Sequence, residues 1–298
     1  MEKRTNGRVE FETFWAGSLL KTTETIDGVA SGFVDVGLIN APNNPDRLPL
    51  INMQMPVFFS PSDPAVLKEL YGTMIQNPAV RNDVERYGVK LLYAAAVAAK
   101  DLCATKPINT IEDLNGVKIG TIGIYYPKIM QAIGAVPVNT PAPQMYQSLQ
   151  TGVIEAECMG IGSILSFRLH EVAKYATWVG FGSEIVALPV INNDTWVKLP
   201  RDIQEIMTQT AIDATIFNVE MVEGYTANGV KGILEAGGTI NELPYSEKVK
   251  WANLMDNYPA EWAHEMDLKG LPGTEVMQLF LNTCRRLGHK FPRQWTVE

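Results

Sequence analysis

Neutral-pH catalysis usually draws on histidine, cysteine or converging carboxylates, and this sequence is sparing with the first two. It has three histidines, His170, His264 and His289, and three cysteines, Cys103, Cys158 and Cys284. No two histidines have a metal-binding spacing, and none accompanies a Gly-x-Ser-x-Gly nucleophile turn. Cys158 and His170 would form a nucleophile–base pair only if the fold brought them together; a buried thiol and a surface histidine are the plainer expectation. The cysteines are too few and too scattered for a disulfide framework or a zinc motif. Glu155, Glu157 and Glu184 offer carboxylates, but their spacing does not gather the oxygens a hard cation needs. In a strand, Glu155 and Glu157 would share one face. Gly120-Thr121-Ile122-Gly123 joins a strand to a helix without the three-glycine fingerprint or a following Gly-Lys-Ser/Thr. Its backbone N–H groups still suit an anionic or polar ligand group. These residues imply no catalytic centre, no metal and no cofactor, and leave binding as the expected activity.

The elements that would position a ligand alternate as strand and helix. Arg8 to Phe14 alternates polar and apolar as a half-buried strand does. A helix is expected from about Leu20 to Ser31, then a strand over Val34 to Ile39. Ser62-Asp63-Pro64 caps a helix running to about Gln76, a second helix covers Pro78 to Tyr87, and Val89 to Ala94 is a strand. Further strands are expected over Val117–Gly120, Val136–Val138, Val153–Ala156 and Ile185–Asn192. Helices are expected over Tyr126–Ile133 and Gln144–Gln150, with another ending at Tyr175. The longest periodic stretch runs from Pro200 to about Ala236. There Ile203, Met207, Ala211, Phe217, Met221 and Tyr225 recur at helical spacing, and Gly237-Gly238 stops them. Such a helix is about 50 Å long at 1.5 Å per residue, enough to cross between lobes. The alternation predicts an α/β fold with largely parallel sheets, whose ligands sit at the carboxyl ends of strands.

The chain has 298 residues, long enough for two lobes. Its net charge of −8 gives no footprint for nucleic acid, which needs a basic patch. No apolar run approaches the roughly 20 residues of a membrane span. The first residues lack the apolar stretch of a secretory signal. Glu2 to Gly7 reads as the last turn of a helix, so upstream residues are expected to be missing from the sequence as it stands.

The segment Lys106-Pro107-Ile108-Asn109-Thr110-Ile111-Glu112-Asp113-Leu114-Asn115-Gly116-Val117-Lys118-Ile119 resembles a stretch of the DctP-type solute-binding proteins of TRAP transporters. Ile133 to Val138, Met145 to Ala156, Val172 to Tyr175 and Ile191 to Pro200 continue the resemblance in the same order. Weaker similarities lie at Thr5 to Val9, Val34 to Val36 and Gly288 to Trp295. The resemblance implies a two-lobed, periplasmic-binding-protein-like clamp. Each lobe would be a mostly parallel sheet flanked by helices, with one long helix bracing both. Lobe I would hold 1–97 and 185–224, without its N-terminal strand and helix start, and lobe II 98–184 and 225–298. It also implies a monomer in the periplasm that closes on a small organic molecule and delivers it to TRAP membrane permease subunits.

The residues that would read the ligand are where the sequence departs from this family. Acid-binding members carry an arginine at the position of Gly120, which would grip a carboxylate bidentately. Met159 stands where Asn or Trp is common, Cys158 where an acid is common, and Lys100 in place of another arginine. The polar stretch before the second hinge strand becomes Ile185-Val186-Ala187. The candidate ligand-binding residues are Trp15, Asn40, Lys100, Gly120, Tyr125, Glu157, Cys158, Met159, Phe181 and Ile185. Tyr126 and Trp178 are further candidate walls. Without the arginine fork, the expected ligand is less anionic and more apolar than a sugar acid. A carboxylate held by Lys100 is the alternative. An enzyme on the same fold, or a clamp coupled to a sensor, are the other two readings.

Overall fold

The computed structural model of the chain describes residues 1–15 and 17–297. In chain order its helices are α1 (Thr25–Ala30), α2 (Pro64–Gln76), α3 (Pro78–Glu85), α4 (Tyr125–Ala132), α5 (Met145–Gln150), α6 (Ile161–Ser166), α7 (Asn193–Lys198), α8 (Arg201–Glu235), α9 (Tyr245–Leu254), α10 (Tyr258–Leu268) and α11 (Gly273–Arg286). The strands are β1 (Val36–Asn40), β2 (Val89–Leu91), β3 (Ala95–Ala96), β4 (Asp101–Ala104), β5 (Lys118–Thr121), β6 (Val136–Asn139), β7 (Ala156–Met159), β8 (Tyr175–Trp178), β9 (Ile185–Asn192) and β10 (Thr239–Glu242).

The strands form two sheets. In one, β9 pairs antiparallel with β1, β2 and β3. The other runs β10-β8-β4-β7-β5-β6. Its pairs are parallel at β10/β8, β5/β7 and β5/β6, and antiparallel at β4/β8 and β4/β7. The first sheet is therefore antiparallel in all its pairs and the second is mixed, where the strand–helix alternation predicts largely parallel ones. The reason lies between them. Residues 97–100 lead from β3 to β4 and residues 179–184 return from β8 to β9, side by side and in opposite directions. Val97 donates to the Glu184 carbonyl at 3.0 Å, and Phe181 to the Lys100 carbonyl at 3.0 Å. This paired crossing forces both β3/β9 and β4/β8 to be antiparallel.

Local chemistry explains most of the elements. Asp63 caps α2 by accepting from Ala65 and Val66 at 2.9 and 3.1 Å, with Pro64 at the first helical position. Helix α8 has 35 residues and is buried only toward its ends, at Ile203, Met207 and Ala211 and again at Gly229 and Ile233. It packs on α6 so closely that a Cβ at Gly229 would press into the Ile161 carbonyl and Gly162.

Four expectations fail locally. Among the described residues no strand edge pairs with Arg8 to Phe14, which forms no ladder, and Phe11 and Phe14 are exposed. The first helix is only Thr25–Ala30, since the Leu20 side chain folds back over Gly28 instead of extending it. The strand expected at Val153–Ala156 falls at Ala156–Met159, because the turn at Gly152, with φ of 73°, carries the chain past Val153. The helix expected to end at Tyr175 is a short 3-10 turn, Leu169–Glu171, and Tyr175 opens β8.

Candidate ligand-binding cleft

A cavity of about 320 Å3 lies where the crossing segments, the second sheet and α8 meet. Ala96, Val97, Ala98 and Lys100 line it from the first crossing, and Ile122 and Tyr126 from the β5–α4 turn and α4. Cys158, Met159 and Gly160 come from the end of β7, Ser163 from α6, and Asn218, Met221, Val222 and Tyr225 from the middle of α8. The wall is mostly apolar, which suits the body of a small organic molecule. A second cavity of about 290 Å3 lies between α2 and α8 and shares Ala96, Val97, Asn218 and Val222 with the first. At the shared wall the Ala96 N–H donates to Asn218 Oδ1 at 3.0 Å.

Lys100 is the cavity's cationic group. Its Nζ lies 3.2 and 3.3 Å from the two carboxylate oxygens of Glu184 and 4.0 Å from the centre of the Tyr126 ring. The Tyr126 hydroxyl donates to Glu184 Oε1 at 3.1 Å. Burial pushes the Tyr126 hydroxyl well above the usual phenol range, reinforced by the Glu184 carboxylate. The Cys158 thiol is likewise driven up by burial, more than Lys100 pulls it down, so it stays protonated and is no thiolate nucleophile.

Behind the wall are two further carboxyls. Asp101 is buried and accepts from Val179 and Gly180 at 2.9 and 2.8 Å, yet burial still raises it to about 7. Glu157 is 0 % exposed, and neither oxygen has a hydrogen-bond partner among the described residues. Burial pushes it to about 8, more than the nearby Cys158 backbone N–H pulls it down. Its carboxyl lies over Gly120 on the neighbouring strand, where a Cβ at Gly120 would collide with Oε2. Gly120 is thus the residue that makes room for Glu157.

Of the candidate residues, Lys100, Cys158 and Met159 come together on the cavity wall, with Tyr126 beside them. Gly120 and Glu157 lie beneath it as a pair. The others lie elsewhere. Trp15 is 77 % exposed in the N-terminal segment. Asn40 is occupied in its own turn, accepting from Asn43 at 3.1 Å. Tyr125 packs on Tyr258, with ring centres 5.9 Å apart. Phe181 is buried among Phe58, Phe59, Tyr126 and Trp251. Ile185 is buried in β9 opposite Ala96. Trp178 packs into the core of the second sheet.

The family model described as bacterial extracellular solute-binding protein, family 7 (DctP), matches residues 1–265. The chain belongs to that family. A solute-binding protein of Albidiferax ferrireducens is 25% identical over 266 residues, spanning 85% of this chain and 75% of that one. The C4-dicarboxylate-binding periplasmic protein DctP of Rhodobacter capsulatus is 25% identical over 275 residues, spanning 89% and 80%. Among solved structures, a TRAP periplasmic solute binding protein from Desulfovibrio salexigens superposes with a TM-score of 0.84 at 20% identity, covering 96% of this chain and 88% of that one. A TRAP solute binding protein from Rhodoferax ferrireducens gives 0.80 at 18% identity, covering 96% and 90%. The two-sheet architecture braced by α8 is therefore the two-lobed clamp of the DctP family.

The DctP-type chain also brings to its cavity residues that motif reasoning missed. Asn218, Met221, Val222 and Tyr225 belong to the periodic stretch of α8, whose spacing predicts a long crossing helix but not which of its residues meet a cavity. Ile212, Phe217, Met221 and Tyr225 are exposed, in the middle of that helix. A signal was present: between the packed ends lies a stretch whose glycine and asparagine, Gly224 and Asn218, interrupt the core pattern. Ala96 and Ala98 carried no signal, since a wall of small residues is chemically silent.

Proposed function

We propose that this DctP-family protein captures a small, largely apolar and predominantly neutral organic molecule in the 320 Å3 cavity and delivers it, in the periplasm, to TRAP membrane permease subunits. The observation that carries the ligand class is Glu157 over Gly120. The space beside Gly120 is filled by a buried carboxyl, and among the described residues the cavity wall has no guanidinium to form a bidentate carboxylate clamp. The remaining wall is alanine, valine, methionine and aromatic, with few polar groups. Relatives of the same fold show how far the ligand varies. The Rhodoferax ferrireducens protein was crystallised with copurified benzoate, a Sulfitobacter protein with β-D-galacturonate, and a Desulfovibrio salexigens protein with orotic acid. An aromatic body fits the wall described above better than a polyhydroxylated one.

Lobe I is proposed to comprise 1–97 and 185–224, and lobe II 98–184 and 225–298. The sheet membership of β1–β3 with β9, and of β4–β8 with β10, supports this division. A ligand touching both lobes favours the closed over the open arrangement by its extra contacts.

The test is a thermal-shift screen against neutral aromatics, aromatic acids, dicarboxylates, sugar acids, amino acids and polyols. Ligand binding only the folded state raises the midpoint by mass action, by about 2.7 kcal/mol of stability at 100 times the dissociation constant. Hits among neutral or weakly polar aromatics are expected. Hits confined to sugar acids and dicarboxylates would overturn the ligand class.

A further inference from the structure

The charged contact at the cavity is closed on itself. Lys100 faces the cavity, but both oxygens of Glu184 already lie within hydrogen-bond distance of its Nζ. Glu184 is held from a second side by the Tyr126 hydroxyl and is itself buried. Its position is fixed by the crossing: the Glu184 carbonyl accepts from Val97, and the adjacent Ser183 hydroxyl donates to the Val97 carbonyl. The Lys100 backbone is tied to the same crossing through Gly182 and Phe181. Lysine and glutamate are thus presented to each other by two hydrogen-bonded segments, and neither can leave the pair by a simple loop movement. Around them the other ionisable groups are the Asp101 and Glu157 carboxyls, the Cys158 thiol, and the Tyr126 and Tyr71 hydroxyls, the last donating to the Ser183 carbonyl at 2.7 Å.

We propose that Glu184 is a built-in occupant of the anion position on Lys100, so that the cavity rejects carboxylate ligands and accepts neutral ones that offer a hydrogen-bond acceptor. The proposal rests on the cavity being the ligand site. A carboxylate entering beside Lys100 would place a second anion against Glu184 in a poorly solvated space and would lose its own hydration without gaining an unpaired cation. A neutral carbonyl or hydroxyl needs only one of the ammonium's three N–H donors, and two can remain on Glu184. Glu184 acts on the ligand through Lys100, so it is a specificity-determining residue rather than a contact residue.

The experiment is calorimetric titration of the full chain with benzamide and benzoate, which share a shape and differ in charge. The wild type is expected to bind benzamide at least tenfold more tightly than benzoate. Glu184→Gln keeps an oxygen for Tyr126 and Lys100 but removes the negative charge. It is expected to improve benzoate binding at least tenfold while changing benzamide binding less than threefold. Adding Lys100→Met to that variant should abolish the gain, which assigns it to the freed ammonium. Thermal melts of each variant confirm that it is folded; should Glu184→Gln not fold, the Lys100→Met single variant decides. With Lys100 gone a neutral ligand loses its N–H donor, so that variant must bind benzamide at least threefold more weakly and must gain no benzoate affinity. Unchanged benzamide binding there means Lys100 is not the donor, and the proposal falls. It also falls if folded Glu184→Gln shows an unchanged benzoate-to-benzamide ratio, or if the wild type prefers benzoate. Absence of binding by either compound to any variant would instead overturn the choice of this cavity for aromatic ligands, and the role of Glu184 with it.

Discussion

Two sides of the same lobe junction are built from opposite materials. On one side, Phe58 and Phe59 reach from the loop after β1 to Tyr126 of α4 and to Phe181 of the second crossing. Phe58 meets Tyr126 at 5.3 Å between ring centres, Phe59 meets Phe181 at 5.8 Å, and Phe181 meets Trp251 at 5.1 Å. Phe59 even adopts φ of 55°, a conformation a bulky residue rarely takes. The N–H of Phe59 is tied to the Phe181 carbonyl at 2.8 Å, and its carbonyl accepts from His289 at 2.7 Å. On the other side stand Ala96, Ala98 and Gly160, too small to fill the space toward α8, and there the cavity opens. Both sides are apolar. The comparison teaches that side-chain volume, more than polarity, decides which side of the junction is filled and which is left open as a cavity. Tyr126 belongs to both, edge-on to Phe58 and face-on to Lys100.

The largest expected effect comes from breaking the aromatic side. Phe181→Ala removes a side chain only 1 % exposed that touches four other rings. It should cost about 3–5 kcal/mol of stability, read as a lower urea midpoint. If instead stability fell by less than about 1 kcal/mol and ligand affinity collapsed, Phe181 would be a pocket wall and the contrast between the two sides would be wrong.

A smaller effect sharpens the contrast from beneath the cavity. Glu157 is raised to about 8 by burial, and Asp101 to about 7. For an acid whose folded pKa lies above its unfolded one, the folded state holds the extra proton. That stability is complete below the ordinary carboxyl range and is lost as pH rises through the folded pKa. The protein should therefore be more stable near pH 5 than near pH 9. Glu157→Gln keeps the shape without the titration and should recover on the order of 1–3 kcal/mol at pH 9 with little change at pH 5. Equal slopes for both proteins across this range would mean that Glu157 is solvated or paired in solution.

How much of this was legible in the residues differs between the two sides for a physical reason. Helix α8 was readable because thirty-five residues of helical spacing leave few alternatives. Strand β9 was readable because its run of apolar residues fits a buried strand. The ladder direction was not, because antiparallel pairing arises from two crossings that meet only in space. Lys100, Cys158 and Met159, which line the cavity, were suggested by family resemblance, and Gly120, which lies outside its wall, by the arginine it lacks. The pairing of Lys100 with Glu184 was invisible, as 84 residues separate them. Trp15 and Phe181 were attractive because aromatic rings suit ligands, yet ring chemistry alone does not tell a cavity wall from a buried core, where Phe181 lies, or from an exposed segment, where Trp15 lies.

The smallest effect tests the open side directly. Ala98 lines the cavity at the first crossing, next to the approach of Gly160 to the Ala98 side chain. Ala98→Leu adds three carbons to a place that has unfilled volume, so the penalty for overpacking a tight core does not apply. Stability should stay within about 1 kcal/mol of the wild type. Affinity for the best compound of the thermal-shift screen should nevertheless fall at least tenfold, about 1.4 kcal/mol, because the added side chain takes space the ligand needs. The dissociation constant from calorimetry and the urea midpoint from the same preparation separate the two effects. An unchanged dissociation constant would move the ligand out of this cavity. A large loss of stability would show that the alanine side is packed as tightly as the aromatic one, and the difference between the two halves of the junction would vanish.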